Sequence, residues 1–150
     1  IWKDDEVLLK ANKRFARMYL LDLIAVKVKF KYLKEIIKSR LKIKKIYEDG
    51  LVKIKDIKIY KDNSYSVSVP QNFVISLEDK DNLNKYLKEK GIICQEPYIP
   101  LHMVDIFRCK SRNFLNSENY YFHSLHLPLT SFMDAKDVEY IIETIRNFKK

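Results

Sequence analysis

Few side chains in this sequence stand where they could do chemistry. His123 and His126 lie three apart, and Cys94, His102 and Cys109 are scattered upstream of them. Two imidazoles three residues apart can share a metal on a helix. Here Leu125-His126-Leu127-Pro128-Leu129 alternates as an extended segment does, and Pro128 must end it or place it at a sheet edge. The histidines therefore read as surface or loop residues, and no metal site is expected. Spacing suggests no Ser/His/Asp or Cys/His arrangement, and Tyr47, Tyr120 and Tyr121 read as packing rings. One segment differs. Glu96-Pro97-Tyr98-Ile99-Pro100-Leu101-His102 sets a tyrosine and a histidine in a loop stiffened by two prolines. Proline fixes its own φ and restricts the preceding residue, so such a loop holds Tyr98 and His102 in place at low entropic cost. Rigid loops of this kind carry function more often than ordinary surface loops do.

Composition excludes several classes. The chain has 150 residues, 47% of them hydrophobic and 33% charged, which suits one globular domain or a piece of a larger protein. With only two glycines, Gly50 and Gly91, it has no Gly-rich phosphate cradle and no dinucleotide fingerprint. No apolar run approaches the roughly 20 residues that span a bilayer, and no signal-peptide pattern opens the chain. Two cysteines are too few for a disulfide framework, so the expected compartment is the reducing cytoplasm. The first residue is Ile rather than Met, which fits a fragment. The net charge of +9 is lopsided, with 18 Lys and Arg against 8 Asp and Glu in residues 1–61. A basic half points toward a polyanion, with Lys27, Lys29, Lys31, Lys34, Lys38, Lys42, Lys44 and Lys45 as the candidate contacts. However, lysines outnumber arginines 23 to 6, whereas bidentate phosphate and guanine recognition favours Arg. The composition thus argues against a nucleic-acid partner.

The elements that must position these residues follow from periodicity. Residues 4–13 read as a short helix. Leu23, Val26, Phe30, Leu33, Ile37 and Leu41 recur in steps of three and four, predicting one long amphipathic helix over residues 20–49, stopped at Gly50. Residues 26–32 also alternate strictly, as a strand would, but length favours the helix. Ile57 and Ile59 alternate, and Tyr65, Val67 and Val69 do so after an Asp-Asn-Ser turn. Phe73-Val74-Ile75 forms an apolar run. Residues 79–90 predict a helix capped by Gly91, residues 92–94 a short strand, residues 108–117 a polar loop and residues 125–129 a second short strand. Asp134 caps a final helix with Val138, Ile141, Ile142, Ile145 and Phe148 along one stripe. The class is α+β: a long N-terminal helix, then a small, mostly antiparallel sheet covered by helices. The expected division is residues 1–50, holding the short and long helices, and residues 51–150, an α+β domain.

Six landmarks in order resemble the C-terminal part of the DegT/DnrJ/StrS-type sugar aminotransferases, fold-type I enzymes that use pyridoxal phosphate (PLP). They begin with Arg17-Met18 and a long helix carrying Leu33, Ile36, Ile37, Arg40, Ile43 and Tyr47. They continue through the helix from Leu83 to Gly91-Ile92, the loop Tyr98-Ile99-Pro100-Leu101-His102 and Asn116-Ser117-Glu118. They end with Leu125-His126-Leu127-Pro128-Leu129 and the helix from Met133 to Ile142. The resemblance runs over roughly residues 14–148. It departs from the family where Phe15 replaces an Asn, Leu23-Ile24 replaces an Ala pair and Lys29 replaces a Gln.

The resemblance implies a homodimer that moves an amino group from a donor such as glutamate to a keto sugar attached to a nucleotide. It also implies that the PLP lysine and the aspartate facing the pyridine nitrogen lie in a larger N-terminal domain absent from this chain. No catalytic residue is then expected within it. Arg17 would offer a cation to phosphate or carboxylate, while Tyr98 and His102 would line the mouth of the substrate cleft. The competing expectation is a non-catalytic remnant or interaction module, with a basic nucleic-acid or membrane-surface binder behind it.

Overall fold

The computed structural model describes residues 20–107 and 113–149. The predicted short helix at residues 4–13, Arg17 and Cys109 lie outside the described residues. The chain forms two compact units, Ile1–Lys34 and Glu35–Lys150. The long amphipathic stretch is helical but interrupted: α1 spans Leu20–Lys31 and α2 spans Leu33–Leu51, with Tyr32 in a turn between them. The interruption falls at the end of the alternating Val-Lys-Val-Lys-Phe-Lys-Tyr run, whose β-branched and aromatic side chains lose χ1 freedom in a helix. On α1, Leu21, Leu23, Ile24, Val26, Val28 and Phe30 are all exposed.

In the second unit, burial on α2 begins at Ile43 and continues through Tyr47 and Leu51 in steps of four, later in the helix than the apolar pattern suggested. The sheet is antiparallel in the order β1 (Lys58–Ile59), β2 (Phe73–Ser76), β3 (Ser124–Leu127). Phe73 pairs with Leu127 and Ile75 with Leu125, and all four side chains are buried on the core face. Over them pack Leu83 and Leu87 of α3 (Lys80–Glu89) and Val138, Ile141, Ile142 and Ile145 of the last helix, α5 (Ala135–Phe148). Two helix ends match expectation. Gly91 sits at φ +78, where the amide of Ile92 donates to the Leu87 carbonyl and its own amide to the Lys88 carbonyl, the paired bonds of a Schellman motif. Asp134 and Asp137 form a reciprocal capping box at the start of α5.

Four sequence expectations are corrected. Gly50 does not end α2, which runs to Leu51, and Gly91 is the described glycine with positive φ. Residues 92–94 form no strand. The strand-like contact falls one residue later, where Gln95 and His126 exchange two backbone hydrogen bonds of 2.9 Å. Tyr65, Val67 and Val69 are exposed and lie in no strand, because alternation without a pairing edge fixes nothing. The polar stretch read as a loop leads instead into a helix, α4 (Leu115–His123). It has no buried residue, so it shows no apolar stripe. Its first turn is held by the Asn113 side chain accepting from the Leu115 amide.

Gly50 has a packing role. A Cβ there would lie 2.5 Å from Cδ1 and 3.1 Å from Cγ2 of Ile142, so the missing side chain is what lets α2 approach α5. Gly50→Ala should gain about 1 kcal/mol of helix propensity but lose about 1–3 kcal/mol to overpacking, a net destabilisation in urea unfolding. The loss should shrink in an Ile142→Val background, which removes Cδ1. An equal loss in both backgrounds would contradict the contact.

Candidate functional site

The proline-stiffened loop and the start of α4 face one another across an open cleft of 740 Å³. Tyr98, Pro100, Leu101 and His102 of the loop and Phe114, Asn116, Ser117 and Tyr120 of the α4 segment line it, together with Phe107. Pro100, at φ −56, precedes a 3₁₀ turn, Leu101–Met103, closed by the Met103 amide on the Pro100 carbonyl at 2.9 Å. This turn presents His102 toward α4. Its Nε2 lies 3.0 Å from Glu118 Oε1, and its ring stacks on Phe114 at 4.3 Å and 23°. Tyr98, at 97% exposure, projects into solvent at the rim. Of the sequence-selected residues, the structure brings Tyr98 and His102 to one cleft.

Tyr120 connects this cleft to the sheet. Its hydroxyl lies 2.9 Å from His126 Nε2 on β3, and its ring lies 5.8 Å from Tyr60, whose own hydroxyl reaches Ser124 Oγ at 3.3 Å. Burial holds the His126 pKa below its usual 6.5 and raises that of the Tyr120 phenol. Tyr120 thus does more than pack, which its type alone did not indicate. A second cleft, of 450 Å³, lies across Asn116 and Tyr120, lined also by Lys58, Tyr60, Glu78 and His123. There His123 Nδ1 sits 3.4 Å from Glu78 Oε2 without making a hydrogen bond among the described residues. His123 lies against Glu78 and His126 against Tyr120, and among the described residues no three His, Cys, Asp or Glu side chains are grouped to hold a metal. Burial pushes the Cys94 thiol up to about 12, leaving it no thiolate for nucleophilic chemistry near neutral pH.

Three further landmark residues, Arg40, Ile43 and Tyr47, build the frame. Arg40 Nη1 donates to the carbonyls of Pro70 and Gln71 at 2.9 and 3.2 Å, tying α2 to the segment that enters β2. Ile43 is buried, and the Tyr47 hydroxyl donates to the Pro128 carbonyl at 2.9 Å.

The profile of the DegT/DnrJ/EryC1/StrS aminotransferase family matches residues 16–146. The chain belongs to that family. Its fold is shared by solved aminotransferase structures. DesV of S. venezuelae, determined in complex with a ketimine intermediate, superposes with a TM-score of 0.79 at 18% identity over 84% of this chain and 35% of DesV. A DegT/DnrJ/EryC1/StrS aminotransferase from Brucella abortus gives 0.74 at 24% identity, over 81% of this chain and 33% of that one. Helicobacter pylori PseC, an aminotransferase involved in pseudoaminic acid biosynthesis, gives 0.70 at 15% identity, over 81% and 35%. The chain therefore spans about a third of the length of these proteins. No curated protein sequence matches it.

This is a family of PLP-dependent aminotransferases, and its cofactor needs an amine for its aldehyde and a carboxylate for its ring nitrogen. The cleft between the loop and α4 has no lysine in its lining. Lys80 is buried with its ammonium donating to the Tyr121 carbonyl at 2.9 Å, and Lys44 is paired with Asp62. The lining of this cleft by itself does not fit PLP. Among the described residues, no helix is long and apolar enough to cross a membrane.

The half-buried His126 imidazole gives a pH test. Because the folded His126 pKa lies below the unfolded value, its contribution to stability is complete above about pH 6.5 and is lost as pH falls through the lower folded value. His126→Asn should flatten that part of the stability–pH curve measured by urea unfolding. An unchanged slope would remove His126 as its source.

Proposed function

We propose that this chain is the small C-terminal domain of a PLP-dependent aminotransferase acting on nucleotide-linked keto sugars, with the cofactor lysine supplied by sequence outside these 150 residues. The observation that carries the reading is the cleft itself: four aromatic rings, Tyr98, Phe107, Phe114 and Tyr120, interleaved with His102, Asn116 and Ser117. Aromatic faces suit the C–H-rich face of a sugar ring, and a few placed polar groups fix its hydroxyls. In this assignment Tyr98 and His102 border the substrate. Arg17, outside the described residues, supplies a cation to a phosphate or carboxylate. At the family level the partners are a nucleotide sugar, an amino donor such as glutamate and a second copy of the enzyme, in the cytoplasm.

The test is a titration of the isotope-labelled chain with a nucleotide-linked amino hexose, followed by amide and ring NMR shifts. Perturbation should centre on Tyr98, His102 and Asn116, and Tyr98→Ala should weaken it several-fold. Shifts centred away from the cleft, or none, would contradict the assignment.

A second reading, a non-catalytic interaction module, is favoured by the exposed apolar side chains of α1. It requires self-association or partner binding through that helix. Sedimentation should show concentration-dependent association that Phe30→Glu abolishes, whereas a strict monomer would count against this reading.

A further inference from the structure

His102 is held from three directions. Pro100 and the 3₁₀ turn fix its backbone, with the Met103 amide on the Pro100 carbonyl at 2.9 Å. The Phe114 ring covers one imidazole face at 4.3 Å, and Glu118 Oε1 meets Nε2 at 3.0 Å. Phe114 and Glu118 stand four residues apart, the spacing that puts two side chains on the same face of a helix. The Glu118 amide donates to the Phe114 carbonyl at 3.0 Å, so the stacking ring and the carboxylate are fixed to one another by the first turn of α4. The His102 side chain is only 15% exposed, against 37% for Glu118, so the imidazole is the more enclosed partner.

A neutral imidazole has one N–H and one lone pair, and an ionised carboxylate has only lone pairs to give. A short contact between Nε2 and Oε1 therefore selects the tautomer that carries its proton on Nε2. We propose that Glu118 is the positioning residue for His102, fixing the ring in the Nε2–H tautomer and leaving Nδ1 as its acceptor. Resting on the sugar-aminotransferase reading above, this assigns to His102 the recognition of a hydrogen-bond donor on the substrate, a sugar hydroxyl or the amine of the amino sugar. An acceptor at this position discriminates against an analogue that lacks the donor, because the lone pair, once substrate displaces water from it, would then go unmet. Sequence spacing gave no hint of this pairing, since the two residues are sixteen positions apart.

The experiment uses the ¹⁵N-labelled chain without ligand, above the pH range in which imidazole protonates. Long-range ¹H–¹⁵N correlations from the ring protons report which nitrogen carries hydrogen. The native chain should show His102 as a single tautomer with Nε2 protonated. Glu118→Ala should collapse its two widely separated nitrogen shifts toward their mean, while Glu118→Gln, whose amide oxygen still accepts, should retain the native pattern. The His126 ring, bonded to Tyr120, serves as the control for an intact fold. If Glu118→Ala disturbs that control, Phe114→Leu replaces it: this variant keeps the carboxylate and should keep the tautomer. An averaged His102 signal in the native chain, a tautomer unmoved by Glu118→Ala in an intact fold, or one lost in Phe114→Leu would overturn the proposal. Because the tautomer is read without ligand, it can hold while the nucleotide-sugar titration fails, and that outcome would count against the functional reading alone.

Discussion

The second unit depends on one buried side chain. Tyr47 is fully enclosed, its ring stacks on Phe73 at 4.8 Å and 22°, and its hydroxyl donates to the Pro128 carbonyl at 2.9 Å. A single residue of α2 thus meets the first residue of β2 and the residue that follows β3. Burial raises the phenol pKa well above its ordinary value, so the hydroxyl remains a donor throughout the physiological range. Pro128 has no N–H and cannot continue the ladder, and an unmet buried carbonyl would cost about 1–3 kcal/mol. Tyr47 meets it.

From that anchor the geometry of the cleft follows. Fixing β3 fixes His126, which bonds Tyr120 through its side chain and Gln95 through its backbone. Tyr120 belongs to α4, whose first turn carries Phe114 and Glu118 against His102. Gln95 leads into the loop that carries Tyr98 and His102. Both walls of the cleft are therefore referenced to the same strand, which a site needs if its polar groups are to keep their spacing without a ligand. The cofactor chemistry is a separate matter, because the amine and carboxylate that PLP requires are not in this cleft. On the proposed reading, this part of the polypeptide shapes and orients, and the bond-making group enters from elsewhere.

What the sequence revealed depended on how local the cause was. Gly91 and Asp134 were legible because helix ends obey rules set within a few residues. The stripe of Val138, Ile141, Ile142 and Ile145 was legible because α5 buries a single face. The family was legible because Arg40, Tyr47 and the loop before His102 stand in order along the chain. The helix α4 was not, because it buries no residue and is held by the Asn113 side chain accepting from the Leu115 amide and by a lysine, Lys80, reaching the Tyr121 carbonyl from α3. Gly50 was misread for a related reason. Glycine at a helix end suggests a cap, whereas here the constraint is Ile142 from a helix far away in sequence. His102 was selected for its rigid loop, but its partners Glu118 and Phe114 are tertiary facts. Arg17 stays a sequence expectation, since it lies outside the described residues.

The central claim is that this chain supplies a substrate-facing cleft and not the cofactor amine. The most direct measurement is to incubate the chain with PLP, reduce with borohydride, and map the labelled lysines by mass spectrometry. The account predicts substoichiometric label spread over exposed lysines, with no aldimine absorbance band that saturates at one equivalent. One lysine labelled to completion at one equivalent of PLP would contradict it.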